Sequence, residues 1–182
     1  MHPIAYHVTT ERPMHAGQII TFDGTHHSGV YKRVMERLET VRHIYAHPEN
    51  YDASQLEHHT RVALRELALE EVRKSRYPQY PSRLNSLYVS KSPEAAAQWA
   101  QFFVRLGRPT YHIVKVALHG RTFTGDANNC FAAQLSHAEN LHLAERYWQN
   151  LPNLSGAAVI EETLADGEIE VLEIVREIRE NL

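Results

Sequence analysis

The side chains that could do chemistry together are two aromatic rings, a histidine and two glutamates. Tyr88 ends a short apolar run, and Trp99 follows eleven positions later in an alanine-rich stretch. Two rings that face each other suit a flat, cationic ligand, because each cation–π or stacking contact contributes ~0.5–2 kcal/mol. His7 lies beside apolar residues near the start of the chain, and Glu168 and Glu170 lie near its end. Carboxylates at such a site stabilise positive charge that develops during a reaction.

A short strand that runs directly into a helix is predicted to position the two rings. Residues 87–89 are apolar and β-prone. Ser92 suits a helix N-cap and Pro93 the first helical position, and the apolar spacing continues to Leu106 before Gly107 ends the helix. A strand followed by a turn and a half of helix can bring Tyr88 and Trp99 to the same side of a cleft.

The histidine and the glutamates are predicted on the first and the last strands, at 4–9 and 168–175. Successive side chains of a strand alternate between its faces, so Glu168 and Glu170 point the same way. Two carboxylates are costly to bury, and we therefore expect them to line a cleft. The alternative is a solvent-facing edge of a hairpin, and for His7 it is a hydrogen-bonded core histidine.

The length of 182 residues predicts one domain, or one domain with an insertion, and 43% apolar residues are enough for a core. The strands and helices predicted along it make the fold class α+β. Two long amphipathic helices, at 30–47 and from 52 to about 74, read as a helical insertion at about 30–76. Its second helix is rich in cations, which form either a solvated face interleaved with glutamates or a contact for an anionic partner. The remaining expectations are strands at 18–22, 110–118 and 157–161, a loop at 120–130, and a helix from 136 to about 150.

Bulk properties predict a cytoplasmic protein without a membrane span. No run of 18 apolar residues occurs, the N-terminus lacks signal-peptide features, and Cys130 is the only cysteine. The net charge of -3 gives no overall attraction to nucleic acid. The 13 histidines invite a metal-dependent hydrolase as an alternative, but no H-E-x-x-H motif or cysteine cluster accompanies them. We expect no metal.

Three stretches resemble the motifs of the ADP-ribosyltransferases of the diphtheria toxin and poly(ADP-ribose) polymerase type, here a small bacterial branch with a His-Tyr-Glu pattern. The first is Tyr6-His7-Val8-Thr9, the second runs from Tyr88 to Trp99, and the third is Glu168-Ile169-Glu170. They occur in the family's order. Trp99 stands where the family usually has Tyr, and His7 accompanies a glutamate pair that in the family usually accompanies Arg.

The resemblance implies a fold of two small, packed, mixed or antiparallel β-sheets with flanking helices, in a single domain over 1–182. It implies NAD as co-substrate, bound by Tyr6, His7, Val8 and Thr9 of the first motif and by Tyr88 and Trp99 around the nicotinamide. His7 would hold the ribose and also counts as catalytic. Glu170 would be the catalytic carboxylate and Glu168 its partner, although the mixed pattern leaves open which glutamate is catalytic.

The function that the resemblance implies is mono-ADP-ribosyl transfer from NAD to a protein, DNA or RNA acceptor, with release of nicotinamide. Similar small enzymes are intracellular toxins of toxin–antitoxin or phage-defence systems, which implies an antitoxin protein as a further partner. The alternatives are a non-catalytic NAD- or nucleotide-binding module of the same fold, an RNA 2′-phosphotransferase, whose basic residues are not evident here, and the histidine-rich hydrolase.

Overall fold

The computed structural model describes residues 2–178, which divide into two compact units. Unit 1 comprises residues 2–26, 86–123 and 162–178, and unit 2 comprises residues 27–85 and 124–161. The predicted helical insertion at about 30–76 lies within unit 2, together with a later stretch of the chain. None of the helices in the described part of the chain is both long enough and apolar enough to cross a bilayer.

Residues 2–178 contain seven strands and five α-helices, besides short 3₁₀ turns. The strands are β1 (Ile4–Thr9), β2 (Ile19–Phe22), β3 (Leu87–Val89), β4 (His112–His119), β5 (Thr122–Asp126), β6 (Glu161–Ala165) and β7 (Gly167–Glu177). The helices are α1 (Tyr31–Met35), α2 (Leu38–Ala46), α3 (His58–Arg76), α4 (Pro93–Arg105) and α5 (His137–Trp148). The predicted α+β class is thereby confirmed.

The strands form two small sheets. The first has the order β1-β4-β7-β2 and the second the order β3-β6-β5. The pairs β1/β4, β4/β7, β2/β7 and β3/β6 are all antiparallel. A single antiparallel bridge between Tyr6 and Ser90 connects β1 to the residue that follows β3. Adjacent strands of the two sheets therefore meet where the first and second motifs lie.

Period-two alternation divides the apolar residues of unit 1 between two clusters. One cluster fills one side of the strands with residues of both sheets: Ala5, Leu87, Val89, Val114, Val116, Leu118, Ala165, Ile169 and Val171. The other joins Val8 and Ile113 to Ala96 and Ala100 of α4. The helix thus packs on the opposite side of β1 and β4, which we call the α4 side of the strands.

The turn at Asp166 carries the chain from β6 in one sheet to β7 in the other. A Cβ on Gly120 would lie 2.0 Å from the carbonyl oxygen of Asp166, so only glycine fits there. The buried Asp166 carboxylate accepts a hydrogen bond from the Arg121 backbone N–H at 3.0 Å and also binds the Arg121 guanidinium. These contacts fix the start of β7, where Gly167 has a φ of +76°.

Unit 2 departs from the predicted helices at two points. Arg37 leaves helical dihedrals, which divides the predicted helix at 30–47 into α1 and α2, and buried side chains of both pack around Leu64 of α3. The Asp52 carboxylate caps only the short 3₁₀ turn Ala53–Gln55. The cap of α3 is Glu57, whose carboxylate accepts from the N–H groups of His59 and Thr60.

Candidate functional site

His7 connects the first motif to the second through a hydrogen bond. Its ring Nδ1 donates to the backbone carbonyl of Tyr88 at 2.7 Å, because a carbonyl oxygen can only accept. Burial lowers the pKa of His7 to about 4, and the hydrogen bond to Tyr88 offsets only part of that effect. The imidazole is therefore neutral at pH 7, with its proton on Nδ1. Nε2 is left as a hydrogen-bond acceptor.

The neutral state of His7 makes a prediction about pH. Between its folded pKa of about 4 and its ordinary value of 6.5, the unfolded chain binds more protons at this site than the folded chain. The contribution of His7 to the free energy of unfolding is therefore complete above pH 6.5 and falls as the pH drops toward 4.

An NMR titration of the folded protein tests this state of His7. We expect one imidazole signal to stay in its neutral form down to about pH 5, and that signal to vanish in His7→Gln. A His7 signal that titrates near 6.5 would contradict the assignment.

The two aromatic rings lie on the same side of the strands. Leu87 and Val89 belong to the cluster shared by both sheets, so Tyr88 between them points to the other side. Trp99 belongs to α4 and packs with Phe102 and Phe103, at ring-centroid distances of 5.8 and 5.9 Å. It also contacts the cluster that contains Val8. The arrangement therefore puts both rings on the α4 side, and both are half-buried.

The other residues of the first motif hold β1 in place. Tyr6 exchanges two backbone hydrogen bonds with Ser90, at 2.9 and 2.7 Å, and its half-buried ring packs against the α4 cluster. Val8 is buried in that cluster. The buried Thr9 hydroxyl accepts a hydrogen bond from the His112 N–H at 2.9 Å. Val8 and Thr9 thus serve packing and strand pairing, whereas Tyr6 borders the region between β1 and β3.

The predicted glutamate pair lies elsewhere in the first sheet. Glu168 pairs with His119 of β4 and Glu170 with Ala117, so the two carboxylates share one face, as their spacing predicts. Ala117 in turn pairs with Ile4, which places Glu170 on the α4 side. β7 shares a core cluster with β3, since Ile169 and Val171 lie in it together with Leu87 and Val89. The chain also runs from β6, which pairs with β3, through the turn at Asp166 into β7. A shared site for the glutamate pair and Tyr88 stays a prediction.

A glutamate that the sequence analysis did not single out lies on the strand that pairs with β3. Glu162 belongs to β6, two residues before Leu164, which pairs directly with Tyr88. Its side chain therefore points to the same side as Tyr88, and continuation of the register places it opposite Ser90. One strand spacing and two residues along the strand give a backbone separation of about 8 Å. Glu162 is 8% exposed, so it is a buried acidic residue on the strand beside Tyr88.

The histidines do not supply a metal centre in the part of the chain that the structure describes. Within residues 2–178, no three His, Cys, Asp or Glu side chains are grouped closely enough to hold a metal ion. His43 instead shares a hydrogen bond with the Tyr51 hydroxyl, and His137 bonds to Glu71 at 2.8 Å. The metal-dependent hydrolase alternative therefore has no ligand set among these residues.

Comparison with known proteins places the chain in a family without assigning a reaction. A model of a family described as a protein of unknown function matches residues 5–177, nearly the whole chain. No curated protein matches the chain. An activity therefore has to be argued from the site.

Proposed function

This chain belongs to the DUF2441 family, and we propose that it is an NAD-dependent mono-ADP-ribosyltransferase. The observation that carries the proposal is the hydrogen bond between the His7 ring and the Tyr88 carbonyl. It joins two motifs 81 positions apart in the sequence, and α4 brings Trp99 to the side of the strands that Tyr88 faces. Two small antiparallel sheets with flanking helices agree with the fold that the resemblance implies.

Each group at this site has a role in the proposed reaction. The Tyr88 and Trp99 rings bind the cationic nicotinamide ring of NAD. His7 alternates with Tyr6 and Val8, so its ring leaves β1 on the opposite side and reaches the site at the strand edge, where Nδ1 holds the Tyr88 carbonyl. At that edge its Nε2 accepts a hydrogen bond from a ribose hydroxyl and fixes the sugar in a reactive geometry. Tyr6 borders the same region. A neutral His7 also adds no positive charge beside a sugar that becomes cationic, so the low pKa of His7 fits the role.

The proposed reaction breaks the bond between the nicotinamide nitrogen and ribose C1′. Nicotinamide leaves with the bonding electron pair, which neutralises its ring, and C1′ gains oxocarbenium character as in glycoside cleavage. A nucleophile of the acceptor then bonds to C1′ and gives up its proton to a carboxylate or to solvent. A nearby carboxylate lowers the barrier by stabilising the positive charge.

We assign that carboxylate to Glu162, because it lies on the Tyr88 side about 8 Å away along the backbone. The sequence pattern instead points to Glu170, with Glu168 as its partner, and that assignment stays a prediction. The two assignments differ in where the catalytic carboxylate lies. Glu162 lies on the strand that pairs with β3, whereas Glu170 lies on β7, in the other sheet. Matched substitutions at these positions decide between them.

Incubation of the purified protein with NAD tests the activity directly. We expect release of free nicotinamide, measured by chromatography, and transfer of adenine-labelled ADP-ribose to a component of cell lysate. Nuclease or protease treatment of the product then identifies the acceptor as nucleic acid or protein. If the protein bound NAD but released no nicotinamide, with or without lysate, the alternative of a non-catalytic binding module would be correct. No thermal shift with NAD for a folded protein would contradict the site itself.

Trp99→Ala is expected to weaken NAD binding at least tenfold and to lower the free energy of unfolding by about 2 kcal/mol. The stability loss is smaller than for a fully buried Trp, because Trp99 is only half-buried. Trp99→Phe should restore most of the NAD affinity and most of the stability, since it keeps an aromatic ring.

Phe102→Ala is the control, because Phe102 lies on the same helix, contacts Trp99 and is 41% exposed. Calorimetry should show equal NAD affinity for Phe102→Ala and wild type, and an equal loss in both alanine variants would argue against ring recognition.

An effector role follows from the resemblance to bacterial toxins and defence proteins, and we propose it on that ground alone. Induced expression of wild-type protein in bacteria should arrest growth, because transfer onto an essential acceptor consumes both NAD and the acceptor. The Glu162→Gln variant, expressed to the same level, should not. Equal arrest by both proteins would mean that toxicity does not arise from transfer. Growth arrest would also provide the selection for an antitoxin partner.

A further inference from the structure

Unit 2 contains a groove that the proposed transferase site does not use. It lies between the first half of α3 and residues 131–134, and its volume is about 400 Å³. Its lining combines cationic, aromatic and neutral polar side chains, among them Ser54, His58, Arg61, Arg65, Phe131 and Gln134. The lining contains no Asp or Glu. The groove is therefore cationic, although the protein as a whole has a net charge of -3.

The positive charge of this groove is not neutralised by the acids of α3. Other cations of the helix and its exit have carboxylate partners: Arg73 binds Glu70 at 2.9 Å, and Arg76 binds Glu145. Arg61 has no carboxylate within ion-pair distance in the described part of the chain. Arg61 thus differs from Arg73 and Arg76, because its charge faces the groove without a neighbouring carboxylate.

Arg65 also contributes positive charge to the groove. Its partner Glu66 lies 3.1 Å away, but the same carboxylate accepts two hydrogen bonds from Arg83, at 2.8 and 3.2 Å. One carboxylate thus serves two guanidinium groups, and the trio keeps a charge of +1. Arg61 and Arg65 are four positions apart, on one face of α3, where like charges repel by a few tenths of a kcal/mol. An anion between them would relieve that repulsion.

We propose that this groove binds a segment of single-stranded nucleic acid, with a phosphate between Arg61 and Arg65 and a base against Phe131. A cationic groove with an aromatic side chain is the combination that binds unpaired strands, since phosphates neutralise the cations and bases stack on the ring. The Ser54 hydroxyl donates to Asp52 and the Gln134 amide to the Ala132 carbonyl, which leaves their oxygens to accept hydrogen bonds from base edges. The volume suits about one nucleotide. The inference stands on unit 2 alone and holds whether or not unit 1 transfers ADP-ribose.

Fluorescence anisotropy of labelled 12-nucleotide RNA and DNA strands tests this inference. Arg61→Glu should raise the Kd at least tenfold at 50 mM salt, and Arg61→Gln should reduce the slope of log K against log salt by about 0.7, the value for one lost phosphate contact. Lys74→Glu is the control, because it makes the same charge change on the same helix at a side chain that is 69% exposed and outside the groove. It should change the Kd less than twofold. Comparison of the RNA and DNA strands identifies the preferred sugar.

Several results would overturn the inference. These are no anisotropy change at 50 mM salt, equal weakening by Arg61→Glu and Lys74→Glu, or tighter binding of a duplex or a phosphopeptide than of a single strand. Far-UV circular dichroism confirms that the exposed Arg61 variants fold. The NAD thermal shift of these variants should equal that of wild type. Loss of strand binding with normal NAD release therefore separates a failure of this groove from a failure of the transferase proposal.

Discussion

Glu162→Gln is expected to fold, to bind NAD with nearly normal affinity, and to lose ~10²-fold or more of transfer activity. Glutamine keeps the shape of the side chain and removes its charge. A carboxylate that stabilises an oxocarbenium-like transition state affects turnover more than ground-state binding. The measurements are nicotinamide release under saturating NAD and NAD affinity by calorimetry. A low kcat with an unchanged Kd is the signature of a group that acts in the transition state.

Glu170→Gln and Glu168→Gln are the matched controls for this prediction. Each makes the same chemical change on β7, in the other sheet from β3 and Glu162, and each should keep transfer activity within a few-fold of wild type. If Glu170→Gln instead lost ~10²-fold of transfer activity while Glu162→Gln did not, Glu170 would be the catalytic residue, as the Glu-x-Glu motif predicts. The assignment of Glu162 from the β3/β6 register would then be wrong. If none of the three lost activity, the reaction would not depend on these carboxylates, and the binding-module alternative would gain support.

The elements around His7 and Tyr88 could be predicted because their signals are local. Ser92 accepts the hydrogen bond from the Ala95 N–H at 3.1 Å, as expected of an N-cap, and α4 starts at Pro93. β1 and β3 follow from short apolar runs of β-prone residues. No pattern in the sequence, by contrast, indicates that the His7 ring bonds to the Tyr88 carbonyl, because that contact depends on how two strands from different sheets meet.

β6 and Glu162 could not be predicted for a related reason. The apolar residues 157–160 favour a strand, but Val159 and Ile160 are 67% and 49% exposed, and the strand begins at Glu161. A sequence of acids and a threonine looks unlike a buried strand, yet pairing with β3 buries it. The signal that could have been used is Leu164-Ala165 directly before the turn at Asp166. The predicted loop at 120–130 likewise contains β5, whose pairing is equally non-local.

Arg83→Met is expected to cause a large loss of stability, about 3 kcal/mol of the free energy of unfolding. Arg83 and Glu66 are 5% and 1% exposed, and the guanidinium also donates to the Tyr147 hydroxyl at 2.8 Å. Removal of one partner of a buried ion pair leaves the other charge without compensation, which typically costs 3–5 kcal/mol. The contact of Glu66 with Arg65 keeps the loss near the lower limit. For a chain of this length, Tm should fall by roughly 6–12 °C.

A surface ion pair of the same unit provides the control. Arg76→Met removes the partner of Glu145, but Arg76 is 60% exposed, so the loss should be below about 1 kcal/mol. Equal losses in the two variants would show that burial does not set the strength of these pairs.

The dependence on pH separates an uncompensated charge from a simple packing defect. Burial alone would raise the pKa of Glu66, but the guanidinium groups of Arg83 and Arg65 more than offset it and hold the pKa below its ordinary value. In the wild-type protein, the contribution of ionised Glu66 to the free energy of unfolding is therefore complete above the ordinary pKa of a glutamate. It is lost as the pH falls through the lowered pKa of Glu66. In Arg83→Met the pKa of Glu66 rises, so the carboxylate protonates sooner and its burial costs less. The stability gap between wild type and variant should accordingly narrow as the pH falls from 7 to 4, whereas a packing defect would keep it constant.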